Sequence, residues 1–397
     1  MKILQLCRKF PYPLKDGESI AVTYLAKAYR SLGCELTLLS FNTIKHYFEV
    51  EKLPTSFDHY EQIETVYLDN YPEPIGAFLN LFSKKSYHIT RFTVQEFADK
   101  LQRLLRANDF DFVQMESVYF APYIPLIRRF STAKIVMRAH NVEFEIWERV
   151  AKNTSLWPKK WYLNHLVKKL RRYEVEQLGN YDLLLAMTAK DLAYFRKLGF
   201  QGQGMVVPIG LQLDNYPIQQ AVTFSTSISF IGSLDWVPNQ EGLSWFIQEV
   251  WPDLRKKIPA LELHIAGRNT PDWIFAKAGN GIVVHGEVSD AKAFLRKHPV
   301  TVVPLFSGSG MRVKILEGMA LGRVVVTTTL GMEGIDALAN ESIVIANERT
   351  QFIDAISAVF KDAEKAKCMM QLARELVERE YNNQRIAALV FEAFEAL

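Results

Sequence analysis

Between Ser307 and Gly334 the chain reads SGSGMRVKILEGMALGRVVVTTTLGMEG, which combines a glycine-rich loop, two cations and a carboxylate. The bare amides of Ser307, Gly308, Ser309 and Gly310 can approach an anion, and the helix they open turns its positive dipole end toward the same place. Arg312 and Lys314 add formal charge there, and Glu317, three residues beyond Lys314, shares its helix face. Cations for a diphosphate beside a carboxylate for sugar hydroxyls suit a nucleotide-sugar site.

A glycine-rich loop taken alone is more often a surface turn with solvated charges behind it. The neighbours favour the chemical reading. Val300 to Leu305 reads as a buried strand before the loop, Ile315 to Leu321 as an apolar helix face and Val324 to Thr328 as a second buried strand. The loop therefore sits at the carboxyl end of a parallel strand, where open α/β sheets bind ligands.

At 397 residues the chain is too long for one ordinary α/β core and suits two domains. Its 47 basic and 44 acidic residues, a net charge of +3, give no support for nucleic-acid binding through bulk charge. Cys7, Cys34 and Cys368 are too far apart for a zinc or redox motif and read as reduced core thiols of a cytoplasmic protein. Met1 to Cys7 reads as a first strand rather than a signal peptide, and no transmembrane helix is expected.

The first half alternates strand and helix candidates: Ile3 to Cys7, Ser19 to Leu32, Glu35 to Phe41, then strands at Phe112 to Met115, Lys134 to Arg138 and Leu183 to Met187. Asp16 and Gly17 can cap the first helix and admit a ligand. Proline and glycine from Met205 to Pro217 suggest a linker. A second set of strands follows at Ser227 to Ile231, Leu261 to Ala266, Ile282 to Val284, Val300 to Pro304, Val324 to Thr328 and Ser342 to Ile345. The expected architecture is α/β, two Rossmann-like doubly wound parallel-sheet domains facing a cleft, at 1–207 and 208–380. A long helical stretch begins near Asp362 and breaks near Tyr381.

Several segments, in order, resemble the retaining GT-B glycosyltransferases of the broad family 4 type, the glycosyl transferases of group 1. They are Pro11-Tyr12-Pro13 with Asp16-Gly17, Arg138 to Glu143 with Ile146 to Arg149, and Val207 to Gly210. In the second half they are Phe230 to Trp236 with Pro238-Asn239, Ile265 to Gly267, Gly286 to Val288 and the Ser307 loop. The resemblance covers nearly the whole chain. It implies that a final helix, at about 381–397, crosses back to the first domain, that the first domain binds the acceptor and that the second binds a nucleotide diphosphate sugar.

Residue by residue, the resemblance puts Gly232 under the phosphates with Ser233 among the donor-binding residues, Gly267 and Arg268 near the ribose or diphosphate, and Gly286, Glu287 and Val288 along the base. Arg312 and Lys314 would neutralise the departing diphosphate, and Glu317 would hold ribose hydroxyls. The family's first paired glutamate falls on Ser309, leaving that hydroxyl and the amides of Gly310 and Met311 for the donor sugar. Where many relatives carry Arg and Lys, this chain has Ser233 and Asn239, so Arg312 and Lys314 are read as replacements. His140 would contact the donor sugar near its anomeric carbon, in a cleft with Gly17, Glu18, Asn141 and Glu143. Glu143 either accepts an acceptor hydroxyl or caps its helix, and Glu18, where relatives have a glycine, either selects the acceptor or turns outward.

No carboxylate in these motifs offers itself as a nucleophile, so a front-face reaction is expected, with a donor phosphate oxygen helping to take the acceptor proton. Asp109-Phe110-Asp111 resembles a metal-binding acidic motif but leads into a strand, and metal-independent activity without a cofactor is expected. From Arg149 to Tyr173 there are eight basic residues and no acidic one, with Trp157, Trp161, Tyr162 and Tyr173 interleaved. Lys168, Lys169, Arg171 and Arg172 crowd one part of a helix, which suits either a solvated face or an anionic membrane surface under a lipid-linked acceptor. The expected location is cytoplasmic, peripheral at the inner face of the membrane. Two other classes stay open: a nucleotide-sugar epimerase of the same fold and a non-catalytic sugar-nucleotide or glycan-binding protein. A dinucleotide oxidoreductase fits less well, because no Gly-x-Gly-x-x-Gly follows the first strand.

Overall fold

The computed structural model describes residues 1–397 apart from 15, 72, 74, 75, 77, 78, 84, 218–223 and 309. These residues form two compact units, Met1–Pro208 with Ile386–Leu397, and Ile209–Arg385.

The first unit is built on seven parallel strands: β1 (Lys2–Cys7), β2 (Glu35–Thr43), β3 (Gln62–Leu68), β4 (Phe112–Met115), β5 (Lys134–Ala139), β6 (Leu183–Ala186) and β7 (Gln203–Val206). Their order is β3-β2-β1-β4-β5-β6-β7. Central strands such as β6, Leu-Leu-Leu-Ala, are buried throughout because helices cover both faces of a parallel sheet. The order reverses between β1 and β4, and the carboxyl ends of these two strands flank the switch point where such sheets bind ligands.

The first helix, Gly17–Ser31, starts where Asp16 accepts a hydrogen bond from the Ser19 amide at 3.0 Å. The C-terminal helix, Asn383–Glu395, buries Ile386, Ala387, Val390 and Phe394 in the core of the first unit. Phe394 stacks on Phe112 with ring centroids 4.2 Å apart, and burying such a ring is worth about 2–3 kcal/mol.

The second unit holds β8 (Ser227–Ile231), β9 (Glu262–Ala266), β10 (Ile282–Gly286), β11 (Val300–Val303), β12 (Val324–Thr327) and β13 (Val344–Ile345). All pairings are parallel, in the order β10-β9-β8-β11-β12-β13, with the reversal between β8 and β11.

Two strands have no counterpart in the sequence reading. β3, Gln-Ile-Glu-Thr-Val-Tyr-Leu, is an edge strand with one fully buried side chain, so its polar residues hide the strand signal. β7 includes Met205 and Val206, which the reading gave to a linker. Gly204 within it serves close packing: a Cβ there would lie 2.9 Å from Leu192 and 3.0 Å from Phe200.

Candidate functional site

The carboxyl edge of the second sheet brings most of the proposed donor-binding residues together. Backbone bonds knit it: the Gly232 amide donates to the Ala266 carbonyl at 3.2 Å, Leu234 to Arg268 at 2.8 Å, and Gly267 to Gly286 at 2.8 Å. Only glycine fits at 267, where a Cβ would stand 2.2 Å from the Gly232 carbonyl oxygen. Gly286 has φ of 67°, while Glu287 is exposed and Val288 half-buried beside it. The Arg268 guanidinium reaches the Ser233 hydroxyl at 3.4 Å, and that hydroxyl donates to Asp235 at 2.7 Å.

The helix Val313–Ala320 follows the loop after β11, and Lys314 lies in its first turn. The ammonium donates to Asn239 Oδ1 at 2.8 Å and to the Ile231 carbonyl at 3.4 Å, and stands 5.0 Å from the centre of the Phe230 ring. It would be 3.3 Å from a Cβ at Gly232, so glycine keeps the carboxyl end of β8 open around it. Asn239, where the resemblance expected a cation to be missing, is the residue that holds Lys314, its own amide being tied to the Ser233 carbonyl at 2.8 Å.

Arg312 stands just before that helix, is buried, and lies 5.8 Å over the Trp236 ring. Gly308 and Gly310 take positive φ of 99° and 87°, Met311 is half-buried, and Ser309 lies outside the described residues. Burial and the neighbouring Arg312 charge push the Lys314 ammonium down to about 7. Glu317, one turn on, accepts a hydrogen bond from the Tyr216 hydroxyl at 2.7 Å, and burial raises its carboxyl. The sequence reading gave no role to Tyr216 or Trp236, since an isolated aromatic carries no spacing signal.

In the first unit, His140 follows β5 and its Nε2 lies 2.7 Å from Glu116 Oε2, just past β4. Glu116 is fully buried, and its second oxygen takes bonds from Gln5 and Gln114 at 2.5 Å each. Arg138 is 3.5 Å from the same carboxylate. Burial opposes charge on Glu116, but Arg138 and the His140 bond outweigh it and hold the carboxyl below its ordinary value. Sequence reading missed Glu116: its one signal was its place at the end of a buried strand.

Glu18 does not turn outward. It is half-buried against a bidentate Arg8, at 2.8 and 3.0 Å, with Lys9 at 3.5 Å. Arg8 also lies 3.6 Å from Glu143, whose other oxygen accepts the Tyr119 hydroxyl at 3.2 Å. Glu143 is not the cap of its helix. That is Glu174, which accepts the amides of Glu143 and Phe144 at 3.1 Å each from a different helix. Burial, then repulsion from Glu143, pushes the Glu174 carboxyl up to about 8. A small cavity beside His140 is lined by Ser117, Asn141, Glu143 and Glu174. Gly17 is half-buried at the start of the first helix.

Asp111 lies at the amino end of β4, away from these residues, and accepts the Lys2 amide at 2.7 Å. Among the described residues no group of three or more His, Cys, Asp or Glu side chains could hold a metal ion. The helix Trp157–Gln177 exposes Trp157, Trp161, Lys168, Arg171 and Arg172. Lys169 departs from the expected basic cluster: its half-buried ammonium donates to the Asn80 carbonyl at 2.5 Å, and burial lowers its pKa. Among the described residues no helix is long and apolar enough to cross a membrane.

Residues 225–362 match the family model of the glycosyl transferases group 1. Along nearly the full length of both chains, 98% of this one and 99% of the relative, the sequence is 22% identical to an uncharacterized 44.6 kDa protein in the cps region of Klebsiella pneumoniae. Among solved structures, sucrose-phosphate synthase from Thermosynechococcus elongatus superposes with a TM-score of 0.70 at 15% identity, covering 100% of this chain and 99% of that one. Anabaena Alr3699/HepE in complex with UDP gives 0.68 at 13% identity over 100% of both chains. The two parallel-sheet units and these likenesses establish the GT-B fold.

Proposed function

We propose that this protein moves a sugar from a nucleotide diphosphate sugar to a glycan or lipid-linked glycan, with retention of anomeric configuration, in the synthesis of a cell-surface polysaccharide. The observation that carries the reading is the Lys314 ammonium held by Asn239 over the carboxyl end of β8, beside Gly232 and with Arg312 at the same helix start. Such a site offers charge to a diphosphate at the sheet's switch point. The group 1 match over this unit, the UDP bound by the Anabaena protein and the cps-region setting of the Klebsiella relative all favour it. His140 is assigned to the donor sugar, Glu317 to the ribose, and the first unit to the acceptor. The chemistry is a metal-independent, front-face displacement of the family 4 type. The decisive experiment is a thermal-shift panel of UDP-, GDP- and ADP-sugars, repeated with Arg312→Ala for the best ligand. A native protein stabilised by none of them is not this enzyme. Anomeric configuration is read by NMR of the product, and turnover in excess chelator decides the metal question.

Proton uptake is expected on donor binding. The free Lys314, at about 7, is largely neutral at pH 8, and a diphosphate beside it would recharge it. Binding then takes up close to one proton at pH 8 and weakens as pH rises above 7, and calorimetry in buffers of different ionisation enthalpy measures this directly. Uptake near zero at pH 8 contradicts the diphosphate assignment for Lys314.

The proposed partner surface is an anionic bilayer. Leu156, Trp157 and Trp161 are 68, 75 and 55% exposed, and Lys168, Arg171 and Arg172 continue the same helix face. Flotation with vesicles containing phosphatidylglycerol should exceed flotation with neutral vesicles and fall in Trp157→Ser/Trp161→Ser. Equal recovery with both lipids removes the proposal.

A further inference from the structure

Three tyrosines stand at the carboxyl end of the outer strand pair of the first sheet, outside the network around Glu116. Tyr67 is the penultimate residue of edge strand β3, Tyr71 follows it by four residues, and Tyr47 lies just past β2. Their exposures are 55, 54 and 57%. The rings of Tyr47 and Tyr67 meet edge to face at 6.3 Å and 68°, and the Lys45 ammonium lies 4.8 Å over Tyr71. Clustered, open aromatic rings on a soluble unit mark an interaction surface.

The backbone around these rings is tied down. Asn42 donates to the Phe48 carbonyl at 2.7 Å and accepts its amide at 3.1 Å, clamping the turn that carries Tyr47. Phe48 packs on Tyr12 at 4.8 Å, and the Tyr71 amide donates to Asp69 at 2.9 Å. A surface fixed before binding loses little ordering entropy. It also lies on the same sheet edge as the charged network. Burial and the Lys9 charge lower His46, between Lys45 and Tyr47, and Asp16, Glu18 and Arg8 act on it as well. Arg8 in turn reaches Glu143. The tyrosines and His140 share one edge of one sheet, since Tyr67 is at the carboxyl end of β3 and the others follow the carboxyl ends of parallel strands.

Amphipathic rings with hydroxyl rims match pyranose sugars, whose C–H faces are apolar and whose rims donate and accept hydrogen bonds. We propose that Tyr47, Tyr67 and Tyr71 bind consecutive sugar residues of the acceptor, so that the acceptor is an oligosaccharide rather than a single sugar. The inference rests on the glycosyltransferase reading, and its test runs without nucleotide so that the two fail separately.

Saturation-transfer NMR is measured on the full-length protein with maltohexaose, cellohexaose and chitohexaose, beside glucose and N-acetylglucosamine. At least one hexasaccharide should receive saturation on its ring C–H protons, and the single sugars should receive far less. In Tyr47→Ala/Tyr67→Ala/Tyr71→Ala its affinity should fall by about tenfold or more, while the melting temperature and the thermal shift by the best sugar nucleotide stay unchanged. The proposal is overturned if none of the hexasaccharides is saturated, or if the triple variant binds as well as the native protein. It is also overturned if the signal responds to Trp157→Ser/Trp161→Ser instead. Binding at the tyrosines with no sugar nucleotide bound anywhere would refute the donor reading and leave a glycan-binding protein.

Discussion

Lys314→Met is expected to lower kcat/KM for transfer by about 10²- to 10³-fold, the usual consequence of removing one preorganised charge from a developing anion. The variant keeps an unbranched side chain and removes the ammonium that Asn239 holds and that stands 5.0 Å from the centre of the Phe230 ring. Binding of the free nucleoside should change little, because the lost contact is to the diphosphate. Steady-state kinetics with the best sugar nucleotide, paired with calorimetric titration of the nucleoside, separates the two. A variant within threefold of native activity would remove Lys314 from the reaction. Asn239→Ala should follow in the same direction with a smaller loss, since it frees the ammonium without deleting it.

The second large effect is on stability. Glu116→Ala should cost about 3–5 kcal/mol in denaturant unfolding, because it leaves Arg138, which is 1% exposed, without its anion. It also strands the amides of Gln5 and Gln114 and one nitrogen of His140. The pH dependence follows from the sign of the shift. A carboxyl held below its ordinary value when folded contributes stability above its unfolded value of about 4.3, and loses that contribution as pH falls through the lower folded value. The gap between native protein and Glu116→Gln should therefore be wide at pH 7, begin to narrow as pH falls below about 4.3 and close only below the lower folded value. A gap independent of pH would mean that Glu116 is neutral in the folded state. Activity in Glu116→Gln reports on His140 as well, since the imidazole loses a charged partner at 2.7 Å.

Both predictions concern side chains whose partners come from distant parts of the chain, and this separates what could be read from what could not. The parallel sheets were legible because buried strands such as Val324–Thr327 are continuous apolar runs and the helices between them carry a different period. The glycine loop with Arg312 and Lys314 was legible because its parts lie within eight residues. β3 was not, because an edge strand with one buried residue writes little into hydropathy.

Glu116 illustrates the deeper limit. Its partners are residues 5, 114, 138 and 140, three of them on strands β1, β4 and β5, whose order in the sheet is a property of the fold. The Glu174 cap is similar, since helix ends are read from adjacent residues and this one is satisfied from 31 residues away. By itself, then, the order of residue types determined the class of fold and the place of the glycine loop, Arg312 and Lys314 after the carboxyl end of a parallel strand. Tertiary structure alone decided which carboxylates are buried, which cation is spent on a neighbour, as Lys169 is on Asn80, and which one is poised, as Lys314 is on Asn239. The physical reason is that local periodicity is set by neighbours along the chain, whereas desolvation and charge pairing depend on separation in space, which sheet order sets.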